Sequence, residues 1–343
     1  MKTEHQESPG YLKMSMAAAM TVGFKNGRFY RNAKLYCINL LQLYSGGCGA
    51  NCAYCGLSGK RSANFKDKSF IRVDWPVYSI DDIIEKMNLY RHKFTRICIS
   101  MIAKMRSPED VLDTIEKIRL NLDTPISVLV CPTVTTESDL VRFKENGVDK
   151  IGVAIDAATQ ELFDRYRSKG VRGPHQWQRY WDTYKEAIDI YGKRNAGVHL
   201  IVGLGETEKE MVETIQKAFA IGGKTHLFSF YPEQGSLMEE QPPPPIDQYR
   251  RIQLARYLID EDITHVANFS FGSSGRIEDF GIPENELEEI IQSGLPFMTS
   301  GCEGNDGIVA CNRPYANFPP PKIRNYPFDL TSEDIELVKN QLW

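Results

Sequence analysis

Apolar, β-branched runs and amphipathic stretches take turns along most of this chain, and that alternation constrains the fold more than any other feature. Strands are expected at 35–44, 95–103, 125–131, 148–155, 196–203, 224–231 and 265–271. Helices are expected at 80–90, 108–122, 137–146, 160–169, 175–191, 207–221, 246–259 and 284–292. Local signals agree. Pro108, after Ser107 and before Glu109, sits where a helix tolerates a missing N–H; Thr136 and Thr207 are good N-caps; Gly147 and Gly192 follow helix ends. Strand and helix alternate seven times, eight if 295–299 is a last short strand. Such alternation argues a parallel sheet with helical crossovers, and the continuously apolar strands suit burial on both faces. A (β/α)8 TIM-type barrel, closed or partial, fits better than a doubly wound sheet. Its chemistry would sit on loops after the strands' C-terminal ends.

The ends of the chain differ from this middle. Residues 1–30 form an N-terminal extension, a polar lead followed by a short Ala/Met helix; 31–300 form the barrel without an internal domain cut; 301–343 form an irregular C-terminal tail. The proline run at 241–245 is a rigid surface linker. Of 343 residues, 42% are hydrophobic and 25% charged, which excludes a mainly disordered chain. A net charge of −4 gives no electrostatic ground for nucleic acid or an anionic membrane as partner. No apolar run approaches the roughly 18 residues of a membrane span. The N-terminus lacks an apolar core of secretory type, so a cytoplasmic location is expected.

Eight cysteines in such a chain point to metal or redox chemistry rather than disulfides. Three of them, Cys48, Cys52 and Cys55, follow the first expected strand with spacing C-x3-C-x2-C. Gly46, Gly47, Gly49 and Gly56 let this loop bend and aim amides at the sulfurs. Three thiolates can wrap one face of a [4Fe–4S] cubane and leave one iron open to a small molecule. Zinc usually takes paired C-x2-C units, and no histidine lies near. A non-catalytic metal scaffold is the alternative of a different class.

With the aromatic Tyr54 before its last cysteine, this loop resembles the signature of the radical S-adenosylmethionine (SAM) enzymes. The resemblance implies a cluster whose open iron chelates SAM, reductive cleavage of its sulfonium, and hydrogen abstraction by a 5′-deoxyadenosyl radical. It also implies site residues. Ile201, Gly203 and Glu206, in the stretch AGVHLIVGLGET, match the fifth-strand motif that seats the adenine in biotin-synthase-like members; His199 departs from the family's usual Gly. Asp156 stands where relatives place a polar residue near the SAM ribose or methionine, although a helix N-cap explains it equally. Ser100 stands where many relatives hold the SAM amino group with Gly-Gly-Glu. Cys98 and Cys131 match two strand positions that hold an auxiliary [2Fe–2S] cluster in biotin synthases. The third, on strand five, is Gly197, and the basic ligand near Phe271 is missing, so both cysteines are expected as small buried hydrophobes.

Cys302 and Cys311 lie in a Gly-rich tail and, with Cys37 from strand one, are expected to hold a second, auxiliary [4Fe–4S] cluster; Ser273 or Ser300 is the expected oxygen donor. Stretches such as LYCINLLQLYSGGC, GVAIDAATQELFDRYRSKG and HLIVGLGETEKEM are similar to one half of the two-protein lipoyl synthases. That resemblance implies sulfur insertion at C6 or C8 of a protein-bound octanoyl chain, with sulfur taken from the auxiliary cluster. The implied partners are an octanoylated lipoyl-carrier protein or peptide, a paralogous second component, and an electron donor of ferredoxin or flavodoxin type. The alternative is a single-cluster isomerase or cofactor-maturation enzyme. His175, Trp177 and Trp181 either contact substrate or pack at helical spacing.

Overall fold

A computed structural model describes residues 6–61, 73–319 and 322–343, except for the Asn317 side chain; residues 1–5 of the expected N-terminal extension and 320–321 of the expected tail lie outside the described residues. The elements run β1 (Tyr11–Met14), α1 (Met16–Thr21), β2 (Cys37–Leu41), β3 (Val77–Ser79), α2 (Ile80–Leu89), β4 (Arg96–Ser100), α3 (Ser107–Arg119), β5 (Ile126–Val130), α4 (Glu137–Glu145), β6 (Val148–Asp156) and α5 (Gln160–Tyr166). They continue with α6 (Trp177–Tyr191), β7 (Ala196–Val202), α7 (Glu208–Ile221), β8 (Lys224–Ser229), α8 (Ile246–Asp260), β9 (Ser270–Phe271), β10 (Ile277–Asp279), α9 (Glu284–Ser293) and α10 (Ser332–Asn340).

Strands β2, β4, β5, β6, β7 and β8 are parallel, each paired with the next. Strand β1 pairs antiparallel with β2 and with β3. The sheet order is β3-β1-β2-β4-β5-β6-β7-β8, with β3 and β8 at its two edges, so the barrel is open. Period-2 alternation sorts its residues. Ile97 and Ile99 of β4 are fully buried in the core beneath the helices, whereas Cys98 and Ser100 face the lumen cavities. Truncating Ile99 to Ala would cost about 2–5 kcal/mol. Helix starts follow their caps: Thr136 and Thr207 each form a capping box, with Asp139 and Glu210 respectively.

Two expected barrel strands are corrected. Residues 265–271 give a 3₁₀ turn at Val266–Asn268 and the two-residue β9, which pairs only with β10 in a separate hairpin. Most of that run is exposed, so it lacks the continuous burial of a barrel strand. Residues 295–299 begin as a 3₁₀ turn, Leu295–Phe297, in which Pro296 has no N–H to give a sheet. The N-terminal stretch contributes more than its expected helix, because β1 joins the sheet. The tail is not wholly irregular, since it ends in α10.

The tail reaches both sides of the opening. Arg324 Nη1 donates to Ser229 Oγ at the end of β8 (2.9 Å), and Asn312 Nδ2 donates to the Lys34 carbonyl ahead of β2 (2.8 Å). Arg313 enters the lumen between them and donates to Ser100 Oγ (3.0 Å).

Candidate functional site

The loop after β2 carries Cys48, Cys52 and Cys55 to the C-terminal mouth of the barrel, as expected. Gly47 has φ +65°, and a Cβ there would lie 2.9 Å from Gly59 Cα, so the loop's two arms meet where only glycine fits. Backbone amides point at the sulfurs: Ala50 and Ala103 donate to Cys48 Sγ (both 3.4 Å), and Leu57 donates to Cys55 Sγ (3.5 Å). Burial pushes all three thiols above their ordinary range. A cation that binds thiolate offsets that penalty and releases the protons. Among the described residues, no three His, Cys, Asp or Glu side chains converge as a single metal ion requires. A cubane gives each thiolate its own iron at a separate corner, and this donor set of three thiols with supporting amides fits it.

Asp156 sits where β6 bulges, with φ +64°, a left-handed conformation uncommon outside glycine. Its N-cap alternative is corrected, because Thr159 caps α5. The Asp156 carboxylate instead accepts from Tyr54 Oη (2.5 Å) and pairs with Arg167 Nη1 (3.4 Å). This ties the cysteine loop to the opposite wall. Arg167 also donates to the Ala154 and Ile155 carbonyls and to Tyr180 Oη (3.3 Å). Its charge and hydrogen bond favour thiolate at Cys52 against the burial that raises it. Nothing in the spacing of the motif points to Arg167, which reaches the site from just after α5. Its buried Nε has no partner among the described residues and is free to meet a bound group.

Beneath the loop lies a cavity of about 180 Å³. Tyr54, Ser100, Asp156 and Ile201 all line it, with Ile102, Leu129 and Phe228 among the apolar wall. Gly203 and Glu206 are not in that wall. The Glu206 carboxylate accepts from the Gly203 amide (2.7 Å) and the Leu204 amide (3.0 Å), shaping the turn that presents Ile201. Burial raises Glu206 to about 7. His175 lines the cavity and shares its Nδ1 with Thr133 Oγ1 (2.6 Å) and Tyr180 Oη (2.9 Å). Trp177 and Trp181 pack edge-on against each other and against Phe163 and Tyr184, which is the packing alternative.

A second set of thiols gathers one layer down. Burial pushes Cys37 well up, and the neighbouring Cys98 and Cys311 thiols push it in the same direction. Cys98 is held down, to about 6, by its hydrogen bond with Cys37 and by the Arg313 and Arg96 charges. Cys98, Cys302 and Cys311 face one small cavity of about 20 Å³, which shares Leu129, His199, Phe228 and Arg313 with the large one. The tail arms form a clamped hairpin: Ala310 N donates to Cys302 O (2.9 Å), and Glu303 pairs with Lys150 (3.4 Å) and Lys224 (3.5 Å). Cys37, Cys302 and Cys311 are therefore brought together as expected, and Cys98 joins them instead of standing apart as a small hydrophobe. Cys131 stays apart and lines the upper cavity. Of the two expected oxygen donors, Ser273 is exposed in the turn between β9 and β10, away from the thiols, whereas Ser300 lines their cavity and its Oγ accepts from the Leu227 amide (3.0 Å).

An open parallel barrel with three cysteines on the loop after its first parallel strand defines a class of cluster-dependent radical enzymes. Residues 43–218 match the Radical SAM superfamily, and the chain belongs to it. Within it the chain is similar to biotin synthases. It is 24% identical over 262 residues to the biotin synthase of Maricaulis maris, covering 70% of this chain and 69% of that enzyme. It is 24% identical over 198 residues to the biotin synthase of Schizosaccharomyces pombe, covering 55% of this chain and 48% of that enzyme. A solved structure of HydG, a maturase of the [FeFe]-hydrogenase, shares the fold with TM-score 0.51 and 12% identity, covering 72% of this chain and 54% of that one. No helix among the described residues is long and apolar enough to cross a membrane.

Proposed function

We propose that this protein inserts sulfur into a protein-bound octanoyl chain, as one component of a two-protein lipoyl synthase, with sulfur drawn from an auxiliary cluster on Cys37, Cys302 and Cys311. The observation that carries this reading is the second thiol group beneath the catalytic cavity. An alkyl radical must meet its sulfur close to where it forms, and a single-cluster isomerase has no use for such a group.

When bound at Cys48, Cys52 and Cys55, the [4Fe–4S] cluster and SAM supply the hydrogen-abstracting radical. The chain's own residues do the rest. Tyr54 and Arg167, meeting at Asp156, fix the loop against β6. Ile201 offers an apolar face to the adenine, on the turn that Glu206 shapes. Ser100 is available to the SAM amino group while its oxygen accepts from Arg313. Leu41, Leu129, Val130 and Phe230 give the cavity an apolar wall suited to an acyl chain and hostile to water. The proposed partners are an octanoylated lipoyl-carrier protein, the paralogous second component, and a ferredoxin or flavodoxin.

The test is an anaerobic assay with SAM, reductant and an octanoylated carrier peptide, with and without the paralogous component. The expected result is 5′-deoxyadenosine together with a thiolated peptide seen by mass spectrometry. Deoxyadenosine with an isomerised or unchanged peptide would transfer the protein to the single-cluster class.

A further inference from the structure

We propose that His199 narrows the lumen to a waist between the large and small cavities, and that the bulk of its ring decides which carbon of the acyl chain reacts. This rests on the sulfur-insertion reading and names a specificity-determining residue for it. Four side chains line both cavities: Leu129 from β5, His199 from β7, Phe228 from β8 and Arg313 from the tail. His199 faces the lumen because β7 alternates, with Val198 and Leu200 fully buried on its other face. The His199 ring lies 5.2 Å from that of Phe228 and 5.4 Å from that of His226, which lines the small cavity but not the large one.

The neighbouring strand leaves space for this waist. A Cβ on Gly152 of β6 would lie 3.0 Å from Leu129 Cδ1 and 3.3 Å from His199 Nε2. Burial, with His226 and Arg313 close by, holds His199 well below its ordinary value, so an apolar chain meets an uncharged ring. A carrier protein is too large to enter the lumen. The carbonyl end of its acyl chain therefore stays at the mouth, and the methyl end points to the waist. Hydrogen abstraction needs its reacting atoms roughly 3–3.5 Å apart, so a slide of one methylene changes which carbon meets the radical. The depth at which the ring stops the chain thus selects the carbon.

The experiment uses the full chain carrying its clusters, with SAM, dithionite and octanoyl peptides deuterated at one carbon at a time. The native chain should pass deuterium to 5′-deoxyadenosine from a single carbon. His199→Gly lets the acyl chain sink and should raise severalfold the share taken from carbons nearer the peptide. His199→Gln keeps most of the bulk and should hold the native position. Gly152→Ala pushes Leu129 and His199 into the waist and should move the transfer toward the methyl end. Binding of hexanoyl to dodecanoyl peptides to the cluster-free chain gives a readout that needs no turnover. Affinity should rise about fourfold per methylene and then level off, at a greater length in His199→Gly than in the native chain. A transfer position unchanged in both His199→Gly and Gly152→Ala, or one levelling length for the native chain and His199→Gly, overturns the role of His199 alone. A native chain that takes deuterium from no carbon of the octanoyl group overturns the sulfur-insertion reading with it.

Discussion

The two thiol groups of this barrel are made in opposite ways. The upper one is local: Cys48, Cys52 and Cys55 share one loop, which folds around them by its own glycines and amides. The lower one is assembled from a distance. Neighbouring strands carry Cys37 and Cys98 two residues out of step, and a tail from the far end of the chain brings Cys302 and Cys311. Their exposure to ligand differs accordingly. The upper group opens onto a cavity of about 180 Å³, whereas the lower is enclosed by a clamped hairpin. A local loop can leave one corner open for a cofactor.

The largest way to break this contrast is Cys48→Ala. It should reduce 5′-deoxyadenosine formation to background while leaving the lower group's iron in place; measurable cleavage of SAM would show that the upper loop is not the radical source. Cys302→Ala should do the converse. SAM cleavage persists and thiolated product disappears, as liquid chromatography with mass detection would read. Arg167→Met removes one partner of a buried ion pair whose side chains are 5% and 13% exposed. Leaving Asp156 unpaired should cost about 3–5 kcal/mol in denaturant unfolding. Tyr54→Phe deletes one hydrogen bond to the same carboxylate and should cost about 1.5–3 kcal/mol, with weaker SAM binding by titration. Thr207→Ala touches neither group and removes only the cap of α7. A loss of about 1 kcal/mol in thermal unfolding is expected, with SAM cleavage unchanged.

Legibility in the sequence follows the same division. The upper loop could be read because its ligands lie within eight positions and glycines mark its bends. The six parallel strands could be read because each is a buried apolar run, and β4 to β8 each lead into a helix. The run at 265–271 misled because it carries Val266, Phe269 and Phe271 at strand-like spacing yet is mostly exposed, which a one-dimensional pattern does not record. Strand β1 was invisible because it is only four residues long and gains its stability from the pairing with β2 and β3. Cys98 looked like an ordinary small core residue; its partnership with Cys37 depends on strand register, and with Cys311 on where the tail docks. Arg167 carries no local motif at all, and its role exists only because the β6 bulge turns Asp156 toward it.

The most direct measurement of the central claim is a single turnover with the lower group reconstituted in heavy-isotope sulfide and the upper group in ordinary sulfide. This is done by loading the triple Cys48/Cys52/Cys55→Ala chain to establish labelling conditions and then the native chain in two stages. The account predicts heavy sulfur in the octanoyl peptide, lost with Cys302→Ala. Ordinary sulfur in the product, or deoxyadenosine without any sulfur transfer, would contradict it.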